Sequence, residues 1–201
     1  MNGKFFDLKK EKQDRIINAA LKVFALEGYR HASTDDIVRE AGISKGLLFH
    51  YFGSKLGAYT FVYDYSVRYM MLELSGVPVT EHEPVALKLQ IIAAQIRAMK
   101  GYPYIQQFLN RSAREDISEA LVATEQMKAS LSEAYERIHE RADYTLLPEG
   151  TDGERLFKLL SFAADGLLAQ QFEESSFQPD MLYEEIRKYF AVVQNLLYGE
   201  R

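Results

Sequence analysis

Residues 41–55, AGISKGLLFHYFGSK, decide the fold of this chain. Their pattern predicts a short helix that ends at Gly42, a tight turn, and a second short helix capped by Ser44. We expect the second helix to point Leu48 and Phe52 inward. Its other side chains are expected to face outward, namely Lys45, Gly46, Leu47, Phe49, His50 and Tyr51. Exposed aromatic side chains beside Lys and His suit a helix that lies in a DNA groove between two phosphate walls.

The rest of the chain is helical in pattern. Apolar residues recur at spacings of three and four, as in Ile16, Ala20 and Val23, and no segment alternates with a period of two over a strand's length. The five prolines fall between periodic segments or at their starts, where helices tolerate them. We therefore predict an all-α protein of about nine helices, over about 10–27, 34–41, 45–51, 55–74, 84–100, 103–111, 116–143, 153–174 and 179–198.

Charge is distributed unevenly along the 201 residues, whose net charge is −5. Residues 1–56 hold ten Lys and Arg against seven Asp and Glu, whereas the remaining residues hold 14 against 22. A basic head on an acidic body focuses attraction for polyanions at one end of the molecule. An excess of three charges is modest, so the uneven distribution only supports the argument from the helices.

Composition argues against an enzyme. The absence of cysteine excludes disulfides and thiolate nucleophiles, and the four histidines lack metal-ligand spacing such as HExxH. No GxGxxG, phosphate-loop or GxSxG motif occurs, and the adjacent acidic pairs splay apart on a helix. We expect no cofactor and no metal. With no apolar run near the ~20 residues that span a bilayer and no leader, we expect a cytoplasmic protein without a membrane partner.

The two short helices predict a helix-turn-helix, in which the second helix enters the major groove. Lys45 is placed to reach guanine O6 or N7, Gly46 allows close approach of the backbone, and Leu47 can touch a thymine methyl. Each of these residues alone has an ordinary structural explanation, but together at this spacing they predict DNA binding. The full predicted contact set is Ser33, Thr34, Ser44, Lys45, Gly46, Leu47, Phe49, His50, Tyr51 and Lys55.

These residues make up a familiar motif, which consists of Gly28-Tyr29, Ser33-Thr34, Ile37, residues 41–46, residues 49–52 and Ser54-Lys55. The chain resembles the TetR family of bacterial transcriptional regulators in this motif, and in length and helical layout throughout. The resemblance implies a homodimeric repressor that binds a palindromic double-stranded operator and releases it on binding a small molecule. It also implies a helix-turn-helix DNA-binding domain at 1–56 and an effector-binding and dimerisation domain at 57–201.

One departure from the family pattern follows the motif. Leu56 and Gly57 stand where the family usually has acidic residues. The change removes a capping-box carboxylate and places a glycine in the first turn of the fourth helix. Helix propensity alone predicts that this glycine costs up to ~1 kcal/mol relative to alanine.

The fourth helix carries five aromatic residues in eleven positions, more than one core can face. Some of them are candidates to line an apolar ligand pocket with a few polar anchors. Each such residue could also belong to the plain core. The candidate ligand set is Tyr59, Tyr63, Ile92, Ile96, Met99, Phe108, Met127, Leu131, Tyr135, Phe162 and Asp165, and we expect the unknown effector to be hydrophobic.

The last two helices show long apolar stripes that suit a four-helix bundle between two subunits. The predicted interface is Leu156, Leu160, Ala163, Leu167, Ile186, Tyr189, Val193 and Leu197. We expect ligand binding to shift the fourth helix and move the two heads out of register with successive major grooves. Two alternatives stay open: an activator rather than a repressor, and a DNA-binding module controlled by a protein partner without a small-molecule effector.

Overall fold

The computed structural model describes residues 3–173 and 177–199 of the chain. Within these ranges all regular structure is helical, which confirms the predicted all-α class. The α-helices are α1 (Lys10–His31), α2 (Thr34–Ala41), α3 (Lys45–Phe52), α4 (Lys55–Leu74), α5 (Pro84–Gly101), α6 (Ile105–Ser112), α7 (Ser118–His139), α8 (Gly153–Glu173) and α9 (Pro179–Tyr198). Short 3-10 turns occupy Gly3–Phe5 and Tyr144–Leu146.

Three predicted helices differ from the structure by two residues or more at an end. α1 is interrupted at Gly28, whose φ is 70°. It continues beyond this glycine and ends at His31 instead of residue 27. α6 begins later than predicted because Pro103 lies in the turn before it. α7 ends at His139 rather than 143, since a turn and then a 3-10 turn follow. The predicted end of the eighth helix at 174 lies outside the described residues.

The chain packs as two compact units. One consists of Met1–Tyr69 with Tyr102–Leu131, and the other of Met70–Gly101 with Ser132–Arg201. The residues of α4 and α7 are divided between the two. These units describe packing, so the functional division between residues 56 and 57 stays a prediction.

The core of the first unit is aromatic and lies where α1 packs along α6. Phe24 of α1 meets Tyr59 of α4 edge-on, with ring centroids 5.0 Å apart. Phe108 of α6 lies against the same Tyr59 ring at 5.5 Å. Tyr59 is buried, and its hydroxyl donates to Ser112 Oγ at 2.9 Å, so burial leaves no unpaired polar group there.

The core of the second unit forms where α5 packs against α8 and α9. α9 buries Leu182, Ile186 and Phe190, which recur every four residues and so lie on one face of the helix. The opposite face of α9 stays exposed, and this asymmetry decides which residues remain available to a second subunit.

Candidate nucleic-acid interface

Local hydrogen bonds set the geometry of α2, the turn and α3. Ser33 caps α2 by accepting a hydrogen bond from Asp35 N at 3.1 Å. Gly42 takes the left-handed conformation at φ 60°, which lets the chain reverse without steric cost. Ser44 caps α3 by accepting from Leu47 N at 3.2 Å. The two caps and the glycine together determine where α2 ends and α3 begins, and all three depend only on residues close together in the sequence.

α3 divides its residues between core and surface largely as predicted. Leu48 and Phe52 are buried in the first unit. Leu47 is partly exposed, as are Ser33 and Thr34 on the neighbouring α2 start. The exposed members of the predicted contact set are Ser44, Lys45, Gly46, Phe49 and His50. We call this group together with Ser33, Thr34 and Leu47 the α3 face.

The cation on the α3 face, Lys45, forms an ion pair with an acidic residue. Lys45 Nζ lies 2.8 Å from Oδ1 and 3.0 Å from Oδ2 of Asp35, the residue at the start of α2. Half or more of each side chain is exposed. Exposed ion pairs contribute only ~0.2–1 kcal/mol. The pair is therefore weak enough for Lys45 to exchange the carboxylate for an acceptor on DNA.

Tyr51 is buried, which contradicts its predicted outward position. It is only 7% exposed, and its ring lies edge-on to Phe5 at 5.6 Å. Phe5, fully buried, comes from the N-terminal 3-10 turn, which packs beside α3. The helical pattern of α3 did not reveal this partner, because Phe5 lies outside the motif.

Lys55 also has a different role from the predicted phosphate contact. Its ammonium donates to the carbonyl oxygens of Tyr29 at 2.8 Å and Ala32 at 3.2 Å. It also stands 4.6 Å from the centre of the Tyr29 ring. A cation here satisfies carbonyls that the end of α1 leaves unpaired. We therefore assign Lys55 to holding α1 rather than to contacting DNA.

Comparison with known proteins agrees with this geometry. A family model described as "Bacterial regulatory proteins, tetR family" matches residues 16–57, which include α2, the turn and α3. The uncharacterized HTH-type transcriptional regulator TtgW of Pseudomonas putida is 45% identical over 47 residues, which cover 23% of this chain and 35% of that protein. Residues 16–57 of the chain therefore belong to the TetR family in sequence.

Solved structures of the family match the fold over nearly the whole chain. A TetR family transcriptional regulator from Chloroflexus aurantiacus is 20% identical, covers 97% of this chain and 95% of its own, and has a TM-score of 0.63. The transcriptional regulator FadR from Bacillus subtilis, solved in complex with stearoyl-CoA, is 14% identical, covers 93% and 98%, and has a TM-score of 0.54. At these identities the structures show a shared fold.

TetR proteins are transcriptional regulators and not enzymes, in agreement with the prediction from composition. In the described ranges, no helix is both long and apolar enough to cross a membrane. No group of three His, Asp or Glu side chains there could hold a metal ion.

The predicted ligand residues fall into two sets. Five lie in the first unit, where Tyr59, Tyr63 and Phe108 pack ring against ring within 6.2 Å. Leu131 is buried and Met127 is partly exposed. The closeness of the rings indicates a filled core at this point rather than an open pocket.

The other six predicted ligand residues lie in the second unit. Ile92, Ile96 and Met99 are buried on α5. Tyr135 of α7 is partly buried, and its hydroxyl accepts a hydrogen bond from Gln95 Nε2 at 3.1 Å. The remaining two, Phe162 and Asp165 on α8, are exposed. Phe162 is 62% exposed, so it lines no enclosed pocket within this chain.

Sequence reasoning missed a buried cation in the second unit. Lys88 on α5 is 7% exposed, and its ammonium stands 4.9 Å from the centre of the Phe157 ring on α8. Burial lowers the pKa of Lys88 to about 8, an effect that the charge of Asp165 partly opposes. A lysine between Leu87 and Leu89 in an apolar run was the available signal.

A separate hollow of about 450 Å³ in the second unit contains none of the predicted ligand residues. Its lining is Glu83, Leu146, Gln194, Asn195, Tyr198 and Gly199. Tyr198 donates to Glu83 Oε1 at 2.8 Å, so the acidic group in the hollow already has a partner.

Two of the eight predicted dimer residues are buried within the protomer, and the interface itself stays a prediction. Leu160 and Ile186 are buried within the protomer's own core, so they are unavailable to a partner. Tyr189 is half exposed, whereas Leu156, Ala163, Leu167, Val193 and Leu197 are partly buried. Besides Met181 near the start of α9, five large apolar side chains of these helices are exposed: Leu159 and Phe162 on α8, and Tyr189, Val192 and Leu196 on α9. We call these five residues the α8–α9 face.

Proposed function

We propose that this chain is a DNA-binding transcriptional regulator that binds a palindromic operator as a homodimer. The observation that carries the proposal is the α3 face, which exposes Lys45, Phe49 and His50 along a short helix that begins at the Ser44 cap. The same residues lie inside the stretch that matches the TetR family model. Because its proposed target is chromosomal DNA, we expect the protein to act in the bacterial cytoplasm.

Selection from a random double-stranded DNA pool, followed by sequencing of the retained fraction, tests the proposal. The salt concentration must be held constant, because affinity depends strongly on it. We expect an enriched palindrome with half-sites about one helical turn, or 34–36 Å, apart. Lys45→Ala should lose the preference at one base-pair position and leave the rest of the site unchanged. No enrichment with a folded protein would refute sequence-specific binding.

The α8–α9 face supports the dimer. Its five apolar side chains include Leu196 at 82% exposure and Phe162 at 62%. Tyr189, Val192 and Leu196 are spaced three and four residues apart, so they form one stripe along α9. Two such helices from each protomer would bury these stripes in a four-helix bundle. Light scattering of the purified protein measures the oligomeric state directly.

We also propose that a small hydrophobic ligand releases the operator. Support comes from the shared fold of the Bacillus subtilis regulator that was solved with stearoyl-CoA. A ligand changes the DNA-binding equilibrium only through different affinities for the two states. We expect α4, which continues from one unit into the other, to carry the change. Structures with and without the ligand test this step, and an unchanged separation of the α3 helices would refute it.

The effector is tested by screening for thermal stabilisation. A ligand present at 100 times its Kd raises the stability of the folded protein by ~2.7 kcal/mol. Any compound that stabilises the protein is then added to the protein–operator complex, where release of DNA is expected from a repressor. Stabilisation without release would favour an activator or control by a protein partner.

A further inference from the structure

Lys88 lacks an acceptor for its charge. Its ammonium makes no hydrogen bond and no ion pair with any residue in the described ranges, although the side chain is more than nine-tenths buried. The face of Phe157 supplies only a cation–π contact. Buried charges in proteins are normally paired, since an unpaired one loses its hydration without compensation. With a pKa of about 8, the group still carries its charge at neutral pH.

The side chains around Lys88 do not supply the missing acceptor. His139 of α7 packs on the same Phe157 ring at 4.7 Å, and its Nε2 is buried without a hydrogen-bond partner. Burial and then the charge of Lys88 lower the pKa of His139 to about 4, so it is neutral at pH 7. Burial raises the pKa of Tyr135 to about 12, so its hydroxyl is also neutral. The charge of Asp165 on α8 raises the pKa of Lys88, but burial has the larger effect and lowers it.

Unpaired buried polar atoms also occur just beyond His139 in the chain. Nε and Nη2 of Arg141, two residues further along the chain, are buried without a hydrogen bond to any described residue. The surroundings of Lys88 on α5 are otherwise apolar, with Leu87, Ile91 and Ile92 all buried. Lys88 is thus a buried positive charge among apolar residues of α5, and the second unit holds further buried polar atoms without a described partner.

We propose that Lys88 binds the acidic group of an anionic ligand between α5, α7 and α8, with the apolar remainder of that ligand against α5. The inference rests on the proposed control by a small hydrophobic ligand and names its chemical class, an amphiphile with a carboxylate or phosphate headgroup. Acceptor oxygens of either headgroup form charge-assisted hydrogen bonds with the ammonium and replace the hydration that burial removed. Lys88 is thus a cation kept unpaired for a ligand.

The matched control for Lys88 is Lys158 on α8. Its ammonium also stands over a phenylalanine ring, 5.7 Å from the centre of Phe162, but the side chain is exposed. Lys88→Met and Lys158→Met therefore remove the same chemical group from a buried and an exposed cation–π contact. Lys88→Arg keeps the charge and serves as the variant that should retain ligand binding.

Thermal unfolding of the full chain is measured with decanoate, decyl phosphate and decanol, each below its micelle concentration. We expect one or both anions to raise the Tm of the wild type and of Lys158→Met, and decanol to have little effect. The anion that acts tells a carboxylate from a phosphate ligand. Lys88→Met should weaken anion binding by at least about 10-fold, and its Tm without ligand should exceed that of the wild type by about 2–4 °C.

Several outcomes would overturn the inference. Equal stabilisation by decanol and decanoate would remove the need for a charge, and a wild type that neither anion stabilises would exclude the ligand class. An anion response that survives in Lys88→Met would place binding elsewhere. If Lys88→Met does not fold, loss of the response in a folded Lys88→Gln variant decides the question. Anion binding without any operator binding would contradict the proposed function alone.

Discussion

Gly57 is the position where structure and helix propensity predict opposite effects of one substitution. An alanine Cβ at residue 57 would lie 1.9 Å from the carbonyl oxygen of Phe52, at the end of α3. The oxygen belongs to the backbone, so it cannot rotate away, and the two segments must separate by roughly 1 Å to restore an ordinary contact. Glycine thus permits the close approach of α3 to the start of α4, where Gly57 N also donates to Ser54 Oγ at 2.9 Å.

The size of the effect follows from two opposing terms. Alanine gains up to ~1 kcal/mol over glycine from helix propensity. Forcing a Cβ into occupied space costs ~1–3 kcal/mol. We therefore expect Gly57→Ala to lower the free energy of unfolding by up to ~2 kcal/mol and the Tm by up to about 8 °C. The sequence pattern alone predicts the opposite sign.

Urea unfolding followed by far-UV circular dichroism measures this effect, with the midpoint expected to fall at constant slope. Gly46→Ala on α3 is the matched control, because nothing lies within 4 Å of its added Cβ. That variant should gain up to ~1 kcal/mol from propensity. A Gly57→Ala midpoint equal to or above that of the wild type would refute the close-approach argument.

Three further substitutions test the remaining assignments. Asp35→Asn removes an ion pair with Lys45 that is worth ~0.2–1 kcal/mol. Operator binding, measured by fluorescence anisotropy, should therefore become stronger by up to about 5-fold. Weaker binding would instead indicate that Asp35 itself contacts DNA. Lys55→Met should lower the free energy of unfolding by ~1–3 kcal/mol. It should leave unchanged the slope of the logarithm of the DNA-binding constant against the logarithm of salt concentration, whereas loss of a phosphate contact would reduce the magnitude of that slope by ~0.9. Leu196→Glu on the α8–α9 face should yield monomers in light scattering, whereas Val122→Glu, at an exposed position of α7, should not. A dimeric Leu196→Glu variant would contradict the interface.

The helix-turn-helix was predictable because short-range chemistry specifies it. Ser33 and Ser44 act as caps within three residues of their own positions, and Gly42 supplies the left-handed turn that few other residues tolerate. Such signals depend only on residues that are close together in the sequence. The role of Tyr51 was not predictable in this way, since its burial depends on Phe5, which is distant along the chain.

The helices of residues 57–201 were predictable from the sequence, but which face of each helix is buried was not. An apolar stripe on α8 or α9 is wide enough to contain both core and surface positions, so Leu160 and Leu159 cannot be told apart without the packing of α5. The same limitation hid Lys88, whose environment is formed by residues of α7 and α8 more than forty positions away. Pairings distant in sequence decide these assignments, and periodicity carries no information about them.

The predicted head at residues 1–56 does not pack alone, and this bears on how a signal could reach DNA. Near the start of α1, the Tyr102 hydroxyl donates to Asp14 Oδ1 at 2.5 Å. Near its end, Tyr29 donates through its backbone N–H to Glu115 at 3.0 Å and through its hydroxyl to Glu119 at 2.5 Å. All three partners lie beyond residue 100, yet they hold the helix from which α2 begins three residues later. Because α1 is held at both ends by this segment, a displacement of the segment must move α1 or break these hydrogen bonds. Operator affinity should therefore respond to the α6–α7 region as well as to α4.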